Sequence, residues 1–94
     1  MLEINKMLTI STRHISMETA DFLNAEAEQN LISIVVYPKS KYGWFIPISE
    51  AACNKNIPDD LRQVIQFALD LKCQWLCFDR DGLEVPYLKV YDWN

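Results

Sequence analysis

The chain has 94 residues, half of them hydrophobic, with 13 acidic against 9 basic side chains and a formal charge of −4. These values exclude general disorder and argue against non-specific binding to nucleic-acid backbones, which needs clustered Lys and Arg. The length points to a single domain over residues 1–94 that can bury one compact core.

MLTIST (7–12) alternates apolar and small polar residues and reads as a strand. Ser16 is the expected N-cap of a helix that runs on through ETADFLNAEAEQ. Glu18 suits its positive end, Leu23 and Ala27 keep its period, and it should stop near Asn30. LISIVVYP (31–38) is dense in β-branched residues and predicts a strand buried on both faces. KSKYG (39–43) is a turn, and WFIPI (44–48) pairs back as a hairpin. Pro47 has no N–H to donate, so that strand should lie at an edge or end early.

SEAACNKN (49–56) fits either a helical turn or a loop. PDDLRQVIQFALDLKC (58–73) is the clearest element. Pro58, Asp59 and Asp60 suit a helix start, and Leu61, Val64, Ile65, Ala68 and Leu71 fall on one face. QWLCFD (74–79) follows as a strand, RDG (80–82) turns, and LEVPYLKVYDW (83–93) should return as a final hairpin arm broken near Pro86. The predicted class is α+β: a two-layer sandwich with an antiparallel-rich sheet and two helices on one face. Its order, β-α-β-β-α-β-β, is compatible with a ferredoxin-like arrangement.

The odd count of three cysteines, Cys53, Cys73 and Cys77, argues against a disulfide scaffold. No signal-like run is present, and no stretch approaches the ~20 apolar residues of a membrane span. The expectation is a cytoplasmic protein with reduced thiols, in which Cys77 lines one strand face and Cys53 is exposed.

Five stretches together resemble a known family: STRHIS, YPKSKYGWFIPI, PDDL, CQWLCFDRDG and the terminal YDW. The likeness covers Ser11 to His14, Tyr42 to Phe45, Trp75 to Gly82 and Tyr91 to Trp93. The family is a small group of uncharacterised proteins, known only as a domain of unknown function, carried by bacterial plasmids, integrative elements and phages. The resemblance implies a small accessory protein of a mobile element, whose usual tasks include disarming or retuning host systems. It supplies no chemistry to carry onto these residues.

Asp79-Arg80-Asp81-Gly82 is the sharpest polar cluster. Two carboxylates at this spacing can share a hard cation, and Asp92 could join them across a hairpin. A turn explains the spacing unaided, with Asp accepting local N–H groups and Gly82 taking a positive φ. The turn is the preferred reading, with no metal and no cofactor. His14, the sole histidine, sits at a strand–helix junction, where a capping or packed role is the ordinary one. A metal-dependent or hydrolytic enzyme using Asp79, Asp81, Asp92 and His14 is the rival reading. No phosphate-binding glycine motif is present.

Trp and Tyr are enriched at the energetic centres of interfaces. Both faces of strand 44–48 are apolar, so one must be exposed, covered by a partner, or covered by Tyr91 and Trp93. The expected partner-binding residues are Tyr42, Trp44, Asp79, Asp81, Glu84, Tyr87, Asp92 and Trp93. The expected function is a non-enzymatic protein-binding module of a mobile element that inhibits or modulates a host defence system. An anti-CRISPR or anti-restriction protein is the type, and its acidic edge would imitate nucleic acid before a basic channel. No direct nucleic-acid or membrane contact is expected. A homodimer paired through strand 44–48 is the third reading.

Overall fold

A computed structural model of the chain describes residues 2–29 and 34–93. Strand β1 (Met7–Ser11) leads through a 3-10 turn (Thr12–His14) into helix α1 (Met17–Gln29). Strands β2 (Tyr37–Lys39) and β3 (Gly43–Pro47) form a hairpin. A single turn of helix, α2 (Glu50–Cys53), and helix α3 (Asp59–Asp70) precede strand β4 (Trp75–Asp79).

The four strands form one mixed sheet in the order β1-β4-β3-β2. β4 runs parallel to β1 and antiparallel to β3. The α+β class therefore holds, while the strand order departs from the ferredoxin-like expectation: β1 pairs only with β4 and forms one edge.

Two predicted strands come out differently. The run 31–38 predicts a strand buried on both faces; its residues 31–33 lie outside the described ones, and Ile34 to Val36 make no ladder. Only Tyr37–Lys39 pairs, as an edge strand, with Tyr37 51% exposed. Continued, the register would oppose Val36 to Ile46 and then Val35 to Pro47, which has no N–H to offer, so the ladder does not extend. β3 does end early at Pro47, but it is an inner strand flanked by β2 and β4. Pairing of two copies through strand 44–48 is thus closed, because both of its edges are used.

Residues 83–93 form no strand. They make an arm whose backbone is held by side chains and loops: the Ser11 N–H donates to the Leu83 carbonyl, and the Tyr91 N–H to the Arg13 carbonyl. The expected hairpin fails because the arm finds these partners at the β1–α1 junction instead of a neighbouring strand.

All helices pack on one sheet face. Ile10, Trp44, Ile46, Leu76 and Phe78 point into that core and meet Leu23, Leu61, Val64, Ile65 and Ala68. These are alternate residues along each strand, as a two-faced sheet requires. Leu71, expected on the same face of α3, lies past its end and is exposed. Val85, Leu88 and Trp93 of the arm also pack on this core, so the arm leaves the other sheet face uncovered.

The caps explain the helix starts. Ser16 Oγ accepts the Thr19 N–H of α1 over 3.2 Å. Asp60, in the first turn of α3, accepts the Ser16 N–H over 2.8 Å and the Thr19 hydroxyl over 2.6 Å. One carboxylate therefore ties together the starts of both long helices. Arg62 fixes the α2–α3 link by donating to the Cys53, Lys55 and Ile57 carbonyls.

Candidate functional site

The DRDG stretch is a turn. The Asp79 carboxylate accepts the Asp81 N–H over 2.9 Å and forms an ion pair with Lys39 of β2. The Gly82 N–H closes the turn on the Asp79 carbonyl over 2.8 Å. Lys39 first, and then the Asp81 N–H, hold the Asp79 carboxyl below its ordinary value. Gly82 does not adopt the positive φ expected of it. Glycine is needed for space, since a Cβ would come 2.6 Å from the Ile10 carbonyl carbon. Among the described residues, no three His, Cys, Asp or Glu side chains gather where they could hold a metal ion.

His14 is 2% exposed, and both of its ring nitrogens are occupied. Nε2 accepts the Val85 N–H over 2.9 Å, and Nδ1 meets the Lys89 carbonyl over 2.9 Å. Because a carbonyl only accepts and an N–H only donates, the ring is neutral with its proton on Nδ1. Trp93 Nε1 donates to the Ile15 carbonyl over 2.8 Å. The histidine is a clasp for the arm.

The eight expected binding residues separate into two groups. Tyr42, Trp44 and Trp93 come together on a cleft of about 470 Å³ between α1 and the β2–β3 turn. Trp44 is 7% exposed, and its Nε1 donates to Asn24 Oδ1 of α1 over 3.0 Å. The cleft mouth carries Lys41 and Arg80, which are not among the eight expected residues. Both lie over the Tyr42 ring, at 5.8 Å and 4.9 Å. Asp79, Asp81, Glu84, Tyr87 and Asp92 do not line this cleft. Glu84 pairs with Arg13 at 3.2 Å, Asp81 and Asp92 are exposed, and Tyr87 is 84% exposed on the arm.

The acidic edge expected along the C-terminal turn is thus offset by Lys39 and Arg13. Helix α1 has four acidic residues and no Lys or Arg within its own span. Three of them, Glu18, Asp21 and Glu28, are exposed.

The uncovered sheet face is the second candidate surface. Alternation along the strands places Met7, Tyr37, Phe45, Pro47 and Trp75 there, around a buried Cys77. The Tyr37 and Trp75 rings lie 6.0 Å apart across the intervening β3. Lys39 lies 5.7 Å from the Phe45 ring at one end of this face. A sheet with one packed face ordinarily shows polar residues on the other. Here the outer face is aromatic, and the period-2 pattern of β3 and β4 is the signal that marks it. All three cysteines are buried, Cys53 included, which corrects its expected exposure. It closes against the α2–α3 link that Arg62 holds.

Among the described residues, no helix is long and apolar enough to cross a membrane. A family model described as "Family of unknown function (DUF5983) C-terminal domain" matches residues 7–93, in keeping with the resemblance drawn from the motifs to a domain of unknown function. No curated protein and no solved structure matches the chain.

Proposed function

We propose a function for a chain that belongs to the DUF5983 family: it is a non-catalytic module that binds a partner protein through its uncovered sheet face. The observation that carries this reading is the row of Tyr37, Phe45 and Trp75, with Met7 and Pro47, on a face that, among the described residues, no helix and no arm covers. Soluble monomers rarely leave contiguous apolar patches open, and such patches mark sites of association. Aromatic residues supply most of the energy at such sites. The engagement of both His14 nitrogens and of the Asp79 carboxylate by backbone and Lys39 supports a non-catalytic role.

The likeness to accessory proteins of plasmids, integrative elements and phages supports a host protein as the partner. A defence system such as a CRISPR complex or a restriction enzyme is the target class. A second reading, nucleic-acid mimicry, draws on the carboxylates of α1 rather than on those of the C-terminal turn.

The test is affinity capture of the partner, followed by binding kinetics with the variant Met7→Ser/Tyr37→Ser. Both residues are substantially exposed, so the fold should survive. Faster dissociation with an unchanged thermal midpoint is the expected result, since loss of an apolar anchor acts on the off-rate. Unaltered dissociation would refute the sheet-face assignment. Slower association in Glu18→Lys/Glu28→Lys, steeper at low salt, would favour the mimicry reading.

A further inference from the structure

We infer that the cleft between α1 and the β2–β3 turn is a separate ligand site, which takes a carboxylate carried on a flat apolar ring. The inference does not depend on the sheet-face reading, because the two surfaces lie on opposite sides of the sheet. Its volume, about 470 Å³, is that of a site for a small molecule or one or two residues of a peptide.

The lining has two chemistries. Trp93 offers indole surface, the largely buried Trp44 lines the cleft as well, and Ala20 and Met17 of α1 stand beside them. Flat rings stack well on such surface. At the mouth stand Lys41 and Arg80. The ion pairs of the described residues are Arg13–Glu84, Lys39–Asp79 and Arg62–Asp59, so neither mouth cation is paired with a carboxylate. The Tyr42 ring holds both of them in place. The backbone adds to this: the Arg80 N–H donates to the Tyr42 carbonyl over 2.8 Å, which fixes the two mouth segments together. A guanidinium has the planar fork of donors that matches a carboxylate.

Charge selects the anion. Among the lining side chains Lys41 and Arg80 outnumber Asp21, and Asp79 beside Arg80 takes up part of that positive charge, so the excess is small. That suits a monoanion. A phosphate dianion would exceed it, within a protein of overall charge −4. The same chemistry is offered by a free aromatic acid and by a peptide that ends in an aromatic residue.

The experiment follows the indole N–H resonances by NMR. Trp44 and Trp93 line the cleft, whereas Trp75 lies on the other sheet face and serves as an internal control. The probes are phenylacetate, its neutral analogue phenylacetamide, inorganic phosphate, and the peptide Gly-Gly-Phe with a free or an amidated terminus. Saturable shifts of Trp44 and Trp93 with phenylacetate or the free-acid peptide are expected, with a dissociation constant on the order of 1 mM or below. The neutral analogues should bind at least about tenfold more weakly. Arg80→Gln and Lys41→Gln should each cost about tenfold and leave the rest of the spectrum in place, since both side chains are exposed. Binding of either acid supports the class; binding of phenylacetate alone or of the peptide alone also identifies the source, and binding of both shows that the site reads only the shared chemistry. No shift at about 10 mM of either acid, equal binding of the amides, tighter binding of phosphate, or undiminished binding by Arg80→Gln/Lys41→Gln overturns it.

Discussion

The Val85 N–H donates to Nε2 of His14 over 2.9 Å, joining residues 71 positions apart. With the Nδ1 contact to the Lys89 carbonyl, one buried ring holds two points of an arm that has no ladder of its own.

His14→Ala would leave the Val85 N–H and the Lys89 carbonyl without their partner and open a cavity beside Ile15. A loss of about 2–4 kcal/mol is expected in urea unfolding. Amide exchange at Val85 and Tyr91 should accelerate beyond this global change. His14→Gln can still accept at Oε1 and donate at Nε2, so it should keep a measurable part of the stability. Equal loss in both variants would assign the effect to volume rather than to hydrogen bonding.

Asp60 joins the starts of α1 and α3. Asp60→Ala removes the acceptor of the Ser16 N–H and of the Thr19 hydroxyl, which is itself buried. Destabilisation of about 1–3 kcal/mol is expected, measured by chemical denaturation. Glu18→Ala, in the same first turn of α1 but exposed, should cost less than about 1 kcal/mol.

The Lys39–Asp79 pair gives a pH signature. The Asp79 carboxyl is held below its ordinary value by Lys39 and then by the Asp81 N–H, so its stabilisation is present above the unfolded carboxylate range. It is lost as pH falls through the lowered folded value. The Lys39 ammonium is held above its ordinary value by its hydrogen bond to Asp79, so its share disappears as pH rises through that raised value. Thermal midpoints of Asp79→Asn should lie below the parent between these limits and converge with it in acid. A constant offset at every pH would show that the pair contributes no charge-dependent stability.

Ile65 is fully buried in the α3 face that meets the sheet. Ile65→Ala should cost about 2–5 kcal/mol by urea denaturation. An unchanged midpoint would contradict the packing of this helix.

Burial pushes the Cys53 and Cys77 thiols up from their ordinary value. A disulfide reagent at about pH 8 should therefore react with the native protein slowly and with the urea-unfolded chain at once. Fast native labelling of Cys77 would show that the outer sheet face opens under ordinary conditions.

Local signals were readable where local physics decides. The Ser16 cap, the apolar face of α3 and the short β4 follow from capping and periodicity within a few residues. The DRDG turn follows in the same way, although Gly82 proved to be required by the nearness of Ile10 rather than by its own φ. What the sequence hid is non-local. That β1 lies beside β4, that Lys39 reaches Asp79 and that Asp60 reaches Thr19 depend on how the elements stack. The arm 83–93 follows the RDG turn as a returning strand would, and its sequence does not show that it has no ladder. Its backbone partners, His14 and the 3-10 turn, lie some 70 residues away in sequence. The cleft was half legible: Tyr42, Trp44 and Trp93 stood out by type, while Lys41 and Arg80 look like ordinary surface cations until the Tyr42 ring is seen between them.

The parallel pairing of β1 with β4 sets the order in which this molecule can be made. Met7 meets Trp75, so the first strand has no partner until 68 further residues have left the ribosome. The β2–β3 hairpin and α3 can form on the way, but the core face of β1 stays open until β4 and the arm arrive. Closing so long a loop is slow, because its entropy is lost before the contacts are gained. The chain should therefore complete its fold only after synthesis has passed Trp93. Until then it presents Leu8 and Ile10 as a bare apolar strand, the state in which a nascent protein most needs a chaperone.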